Sequence, residues 1–223
     1  MTPTAGSSTA EAAPVPTGVA QPPSGVVLYL DVGHPESLLA AERALQVMPV
    51  ATEWIPVHLG PPDGVDLDAL ARTAAARGLQ PLKAPPRVPF DAEAANLAAT
   101  FAKSTGRAVA FLQAALRQAY AGGRDLSVLD NVLIAGSACE LHPRSVLKAL
   151  ETRGTRRTLR AATALARERG VTRAPAVVAL GRCFEGDAGL DAAAALLRAH
   201  GLEEEREPAD VGSPVTVIPP AER

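Results

Sequence analysis

Aromatic residues are scarce in this chain: four Phe, two Tyr and one Trp make up 3% of 223 residues. A core without large rings has to be filled by Ala, Leu and Val, which favours closely packed helices. Cysteine is nearly missing too. Cys139 and Cys183 are the only two, 44 positions apart, too few for a disulfide scaffold or a four-ligand zinc site. Both are expected to be small buried residues. An excess of one charge is also absent. The 22 basic and 24 acidic residues leave a net charge of −2, so nothing electrostatic draws the chain to nucleic acid or an anionic membrane. No apolar run approaches the ~20 residues that span a bilayer. No Lys or Arg precedes Arg43, and Pro14, Pro16, Pro22 and Pro23 interrupt any secretory core. The expected setting is cytoplasmic, with neither nucleic acid nor membrane as a partner.

Apolar types nevertheless reach 47% against 21% charged, enough to bury a core. At ~150 residues per domain the length suits one domain. Residues 1–25 are dominated by Ala, Pro, Thr, Ser and Gly and predict a disordered N-terminal tail. Residues 203–223 form an acidic, then proline-containing C-terminal tail, in which Val215 to Ile218 is the one strand-like stretch. The folded unit is expected over 26–202.

That unit opens with Val26 to Leu30, an apolar run suited to a strand buried on both faces. Asp31-Val32-Gly33-His34 predicts a turn, Pro35 the start of a helix reaching Val47, and Pro49 its end. Thr52 to Leu59 predicts a second strand, pushed to a sheet edge by Pro56. Helical periodicity then predicts segments at 65–77, from an Asp91 cap to Lys103, 107–121, from a Ser127 cap to Cys139, 143–151 and 155–170. The four prolines between Pro81 and Pro89 predict an extended loop. Ala176 to Leu180 is a strand, Gly181-Arg182 a two-residue turn, Cys183 to Glu185 the returning strand, and Leu190 to His200 a last helix. Two sheet-forming halves separated by helices predict an α/β domain with an all-helical insertion at about 63–170.

Four stretches in that order carry a resemblance. Leu28-Tyr29-Leu30-Asp31 through Pro35-Glu36-Ser37-Leu38-Leu39-Ala40 is similar to a strand, active-site turn and helix often written Y-F-D-x-x-S-P-Y-S-Y-L-A. Leu116 to Leu129 is similar to a second family motif, Gly170 to Pro175 to G-V-F-G-V-P, and Phe184 to Leu190 to F-W-G-Q-D-R-L. From about Val26 to Leu197 the chain resembles the branch of the DsbA superfamily that holds 2-hydroxychromene-2-carboxylate isomerases and kappa-class glutathione transferases. The resemblance implies a thioredoxin-like fold, a cis Pro175 preceded by Ala174 whose backbone faces the site, and a glutathione-linked isomerisation of a small conjugated substrate. A homodimer is compatible with it.

The departures bear on chemistry. His34 stands where the resemblance implies a catalytic serine, and Asp91 where it implies an Asn. The Asp-Arg pair that would hold glutathione's γ-glutamyl end is Ala188-Gly189, with Asp187 next door as a partial substitute for the acidic member. His34 is therefore the first catalytic candidate, a neutral and partly exposed base in a cleft facing Pro175. Ser37 is the second, as a nucleophilic hydroxyl. Ala174, Pro175 and Asp187 are the candidate glutathione-binding residues. No histidine pair has metal-ligand spacing, so no metal is expected. Arg153, Arg156, Arg157 and Arg160, with Arg144 and Lys148 upstream, predict a solvated basic face. Two other readings stay open: a non-catalytic thioredoxin-fold binding protein that has lost the site, and a thiol oxidoreductase. The second needs a low-pKa thiolate, yet no C-x-x-C occupies the turn and the nearest cysteine, Cys139, lies 105 positions beyond His34.

Overall fold

The structure is a computed structural model and describes residues 25–203. The expected tails, including the strand-like Val215 to Ile218, lie outside the described residues apart from Gly25 and Glu203. The chain runs β1 (Val27–Leu30), α1 (Glu36–Val47), β2 (Glu53–Pro56), α2 (Leu67–Ala76), α3 (Glu93–Ser104), α4 (Ala108–Tyr120), α5 (Leu129–Ser137), α6 (Pro143–Glu151), α7 (Arg153–Glu168), β3 (Ala176–Ala179), β4 (Arg182–Glu185) and α8 (Gly186–Ala199). The sheet order is β2-β1-β3-β4, with β2 parallel to β1 and the other pairs antiparallel. This is the α/β, thioredoxin-like arrangement with its helical insertion, α2 to α7, between β2 and β3.

Period-two alternation divides the core. Leu28 and Leu30 of β1 join Val177 and Ala179 of β3 beneath α1, α8 and most of the insertion, while Val27, Tyr29, Ala176 and Val178 turn to the opposite face. There Ala166 of α7 and Val171 close over them. The insertion thus covers both faces of the sheet. Leu28, Tyr29 and Leu30 are fully buried, and each such side chain is worth about 1.5–3 kcal/mol of burial. Pro56 costs the sheet no ladder bond on its outer side because β2 is an edge strand.

Several local expectations shift. β2 is shorter than Thr52 to Leu59, because beyond Pro56 the chain turns to meet the loop after β1. α5 begins at Leu129 without a side-chain cap; the turn before it is made by Asp125, whose carboxylate accepts the Ser127 N–H at 2.8 Å. Asp91 accepts the Glu93 N–H at 2.9 Å while Ala92 holds the cap position of α3. The β3–β4 turn is Leu180-Gly181 rather than Gly181-Arg182, since Arg182 already pairs with Ala179. Both turn residues have positive φ, 50° and 71°, as a type I′ hairpin requires. α8 starts at Gly186, four residues early, so Asp187, Ala188 and Gly189 belong to its first turn. A Cβ on Gly189 would lie 2.7 Å from the Phe184 carbonyl carbon, so only glycine lets α8 pack this closely on β4. Cys183 is half-buried rather than buried, and Arg156 is half-buried against Glu93 of α3 instead of joining the solvated face.

Candidate functional site

The turn after β1 is held by one buried carboxylate. Asp31, 1% exposed, accepts the Gly33 N–H at 2.9 Å, the Leu59 N–H at 2.7 Å and the Asn96 side-chain amide at 2.7 Å. Three donors are what a buried carboxylate needs to stay out of water. Asn96, on α3, accepts the Val32 N–H at 3.0 Å through its oxygen and also donates to His58 Nδ1 at 3.2 Å. Tyr120 donates its hydroxyl to the Val32 carbonyl at 2.9 Å. Burial pushes the Tyr120 phenol well above its ordinary range, with the Asp31 charge adding to the shift. Two helices of the insertion therefore set the shape of the turn.

His34 follows, at the mouth of α1. Its Nε2 lies 3.0 Å from the Gly60 carbonyl, and its Nδ1 accepts the Ala174 N–H at 3.3 Å. A carbonyl only accepts and an amide N–H only donates, so these partners assign the neutral tautomer with its hydrogen on Nε2. The Asp31 carboxylate stands 3.9 Å from the same Nε2. At 4% exposure the imidazole is buried, not partly exposed: the Gly60 and Ala174 segments close over it. Its rim still lines a cavity. Ser37 is fully buried within α1, its hydroxyl has no hydrogen-bond partner, and it does not line that cavity.

The Ala174–Pro175 peptide is cis. The loop before it is pinned by Glu185 at the end of β4, whose carboxylate accepts the N–H groups of Thr172 and Arg173 at 2.5 and 3.0 Å. Partial burial alone would raise the Glu185 carboxyl. The Thr172 and Arg173 N–H groups, the Thr172 hydroxyl and the Arg173 guanidinium outweigh it and hold it below its ordinary value. At the start of α8, Glu36 does not point along α1 to solvent. It reaches across to accept the Asp187 N–H at 2.9 Å, since the free N–H groups of a helix start attract a carboxylate. Asp187 itself, 4% exposed, binds Arg43 at 2.5 Å through one oxygen and Arg77 through the other.

These elements border a half-open cavity of about 760 Å³, lined among others by His34, Glu36, Arg77, Arg173, Ala174 and Asp187. Of the sequence-predicted residues, His34, Ala174 and Asp187 thus meet at one cavity, Pro175 stands behind Ala174, and Ser37 lies apart. Sequence reasoning missed Asn96, Gly60, Arg43, Arg77 and Glu185. Each acts through a contact 12 to 144 positions away in the chain or through its backbone, which no local motif announces. Among the described residues, no group of three or more His, Cys, Asp or Glu is placed to hold a metal ion, and no helix is long and apolar enough to cross a membrane.

No protein-family model matches the chain, and no curated protein matches it. Solved structures do. A 2-hydroxychromene-2-carboxylate isomerase superposes with a TM-score of 0.67 at 19% identity, covering 79% of this chain and 94% of its own. A probable DsbA oxidoreductase from Streptomyces coelicolor gives 0.66 at 21% identity over 85% and 94%. The cytosolic disulfide reductase DsbM from Pseudomonas aeruginosa gives 0.59 at 19% identity over 78% and 97%, and a second structure of it contains GSH. At these identities the likeness establishes the fold: a DsbA-like thioredoxin fold.

Proposed function

We infer that this is a DsbA-family, 2-hydroxychromene-2-carboxylate isomerase-like protein that takes a thiol peptide of the glutathione class into the His34 cavity and acts on a small conjugated organic substrate. The observation that carries the reading is the setting of His34. One ring nitrogen is fixed by the Gly60 carbonyl with a buried carboxylate 3.9 Å away, and the other is held only by the 3.3 Å contact from Ala174. The second contact is the one a ligand would exchange. A ligand carbonyl would take the Ala174 N–H, and the freed Nδ1 would accept a thiol proton. The imidazolium so formed would keep its Nε2–H on Gly60, with Asp31 stabilising the charge.

The cavity volume falls within the ~300–1,000 Å³ usual for small-molecule sites. Ala174 and Arg173 would hold the peptide backbone and a carboxylate, and Asp187 with Arg77 would border the far end. Glutathione, when bound, supplies a nucleophilic thiolate that adds reversibly to a conjugated substrate and leaves after bond rotation. In this chain His34 holds the proton in the serine's place, and the loop over it excludes water. The neighbour solved with GSH supports the ligand class, and the isomerase neighbour supports the reaction class.

The non-catalytic binding reading has its own support, because both Asp187 oxygens are already occupied by arginines. The oxidoreductase reading meets the missing C-x-x-C; burial also raises both thiols, Cys139 and Cys183, above their ordinary range. Titrating glutathione while following backbone amides by NMR tests the main reading. Shifts centred on His34, Ala174 and Asp187, with dissociation in the millimolar range or tighter, are expected. In His34→Ala the shifts should persist while any isomerisation is lost. No shift at ~10 mM ligand refutes the glutathione site, and unchanged turnover in the alanine variant removes His34 and leaves the binding protein.

A further inference from the structure

His58 meets the Asp31–Asn96 pair through Asn96, whereas His34 stands beside Asp31, and none of the chemistry above uses His58. It lines a second cavity of about 310 Å³ together with Asp31, Gly33, Gly60, Phe90 and Asp91. The chain segment 58–61 forms the partition between this cavity and the larger one, and Pro61 faces both.

The ring of His58 is not free to choose its tautomer. Asn96 oxygen is committed to the Val32 N–H, so the group 3.2 Å from His58 Nδ1 is the amide nitrogen, a pure donor. Nδ1 must accept, and the ring hydrogen then sits on Nε2. Among the described residues Nε2 has no protein partner, whereas the His58 backbone is tied down by its N–H to the Thr163 hydroxyl at 3.0 Å. A positioned N–H donor without a protein partner, on a residue that lines a half-open cavity, is a recognition element. The other walls say what it recognises. Phe90, Pro61, Pro89 and Ala92 are apolar, and the charged liners Asp31 and Asp91 are both acidic. An anionic headgroup would be repelled there, while a neutral oxygen acceptor on a compact apolar body suits the lining.

We propose that His58 donates its Nε2–H to the carbonyl oxygen of a neutral, compact, apolar carbonyl compound held in the second cavity, with Asn96 as the residue that positions the ring. Because the 58–61 segment separates this cavity from the His34 cavity, the carbonyl site is a binding site of its own, in which His58 polarises the carbonyl without itself gaining or losing a proton. Carbonyl binding stands without the thiol, so the two proposals fail separately.

The experiment uses benzylideneacetone as the neutral carbonyl probe, in the absence of glutathione, on the full chain. Imidazole nitrogen correlations are followed in the wild type, His58→Gln and His58→Leu. The wild type should bind the probe with a shift at His58 Nε2 larger than at either His34 nitrogen. Gln offers both an acceptor for Asn96 and a donor for the carbonyl, and should keep binding within a few-fold; Leu should weaken it about tenfold. Cinnamate, of similar size but anionic, should bind the wild type more weakly than the ketone. The wild-type titration needs no variant to fold. An absent shift at His58, equal binding by the Leu variant, or preference for cinnamate overturns the proposal. Glutathione shifts at Ala174, measured separately, would remain in the Leu variant and would fail only with the thiol reading.

Discussion

At the His34 end of the large cavity, the nitrogen that matters is held by a single contact of 3.3 Å from the Ala174 N–H; at the α8 end, Asp187 has one oxygen 2.5 Å from Arg43, the other on Arg77, and its own N–H on Glu36. One end keeps a contact that a ligand can exchange. The other end has satisfied its charges internally, where the resemblance implies a clamp for a zwitterion. A thioredoxin-like fold can therefore hold its turn and its cis-proline loop while the start of α8 is tied up by ion pairs of its own. Gly189 shows how tightly that end is packed. A side chain there meets the β4 backbone, so placing an arginine at that position would require α8 to move.

The comparison is broken most severely from beneath the turn. Asn96→Leu leaves the Val32 N–H without an acceptor and takes one donor from Asp31 inside a buried site. Each unmet buried group costs about 1–3 kcal/mol, so a loss of about 3 kcal/mol is expected in denaturant unfolding, along with disordered His34 resonances. A loss under about 1 kcal/mol would show that water replaces the amide and that α3 does not set the turn. Next comes Gly189→Ala at the other end. Its Cβ would lie 2.7 Å from the Phe184 carbonyl carbon, and relief by moving α8 should cost about 2 kcal/mol. Because Asp187 sits in the same helical turn, this variant should also alter the Arg77 and Arg43 resonances while leaving those of His34 in place. Changes at His34 of the same size would mean that the two ends are one unit.

The sequence makes one of these ends far more legible than the other. An apolar strand, a Gly-His-Pro turn and an amphipathic helix are local patterns, and they appear where period-two and period-3.6 spacing place them. The paired Ala/Leu helices are legible for the same reason, whereas the Gly-Val-x-x-x-Pro loop is legible only through the resemblance. The partners that finish the site are not local. Gly60 contributes only a carbonyl, Ala174 only an N–H, and Glu36 finds the Asp187 N–H because α8 begins four residues earlier than its apolar pattern suggests. The charged pair expected at 188–189 is absent from the sequence. The partners Asp187 has instead, Arg43 of α1 and Arg77 just past the end of α2, come from segments whose proximity only the folded chain establishes. His34 illustrates the limit: its position beside the proline-capped helix is plain in the sequence, but its burial depends on two loops distant in the chain.

The smallest expected effect concerns the loop that lies between the two ends. Glu185 holds Thr172 and Arg173, and through them places the Ala174 N–H against His34. Its carboxyl is held below its ordinary value in the folded protein. A carboxylate with a depressed folded value contributes stability that is fully present above the unfolded value of ~4.3 and is lost as pH falls through the folded value. Glu185→Gln keeps the shape but accepts these N–H bonds without charge, so it should cost about 1 kcal/mol at pH 7. Since Glu185 is one-quarter exposed, solvent limits the effect. The gap between wild type and variant should shrink steadily below pH ~4, as the wild-type carboxyl protonates and the two side chains become alike. Thermal melts at pH 7, 5 and 3 measure the gap, and the Ala174 amide reports the loop directly. If the gap stays constant down to pH 3, Glu185 acts by shape alone, and the charge at the end of β4 has no part in holding the Ala174 N–H on His34.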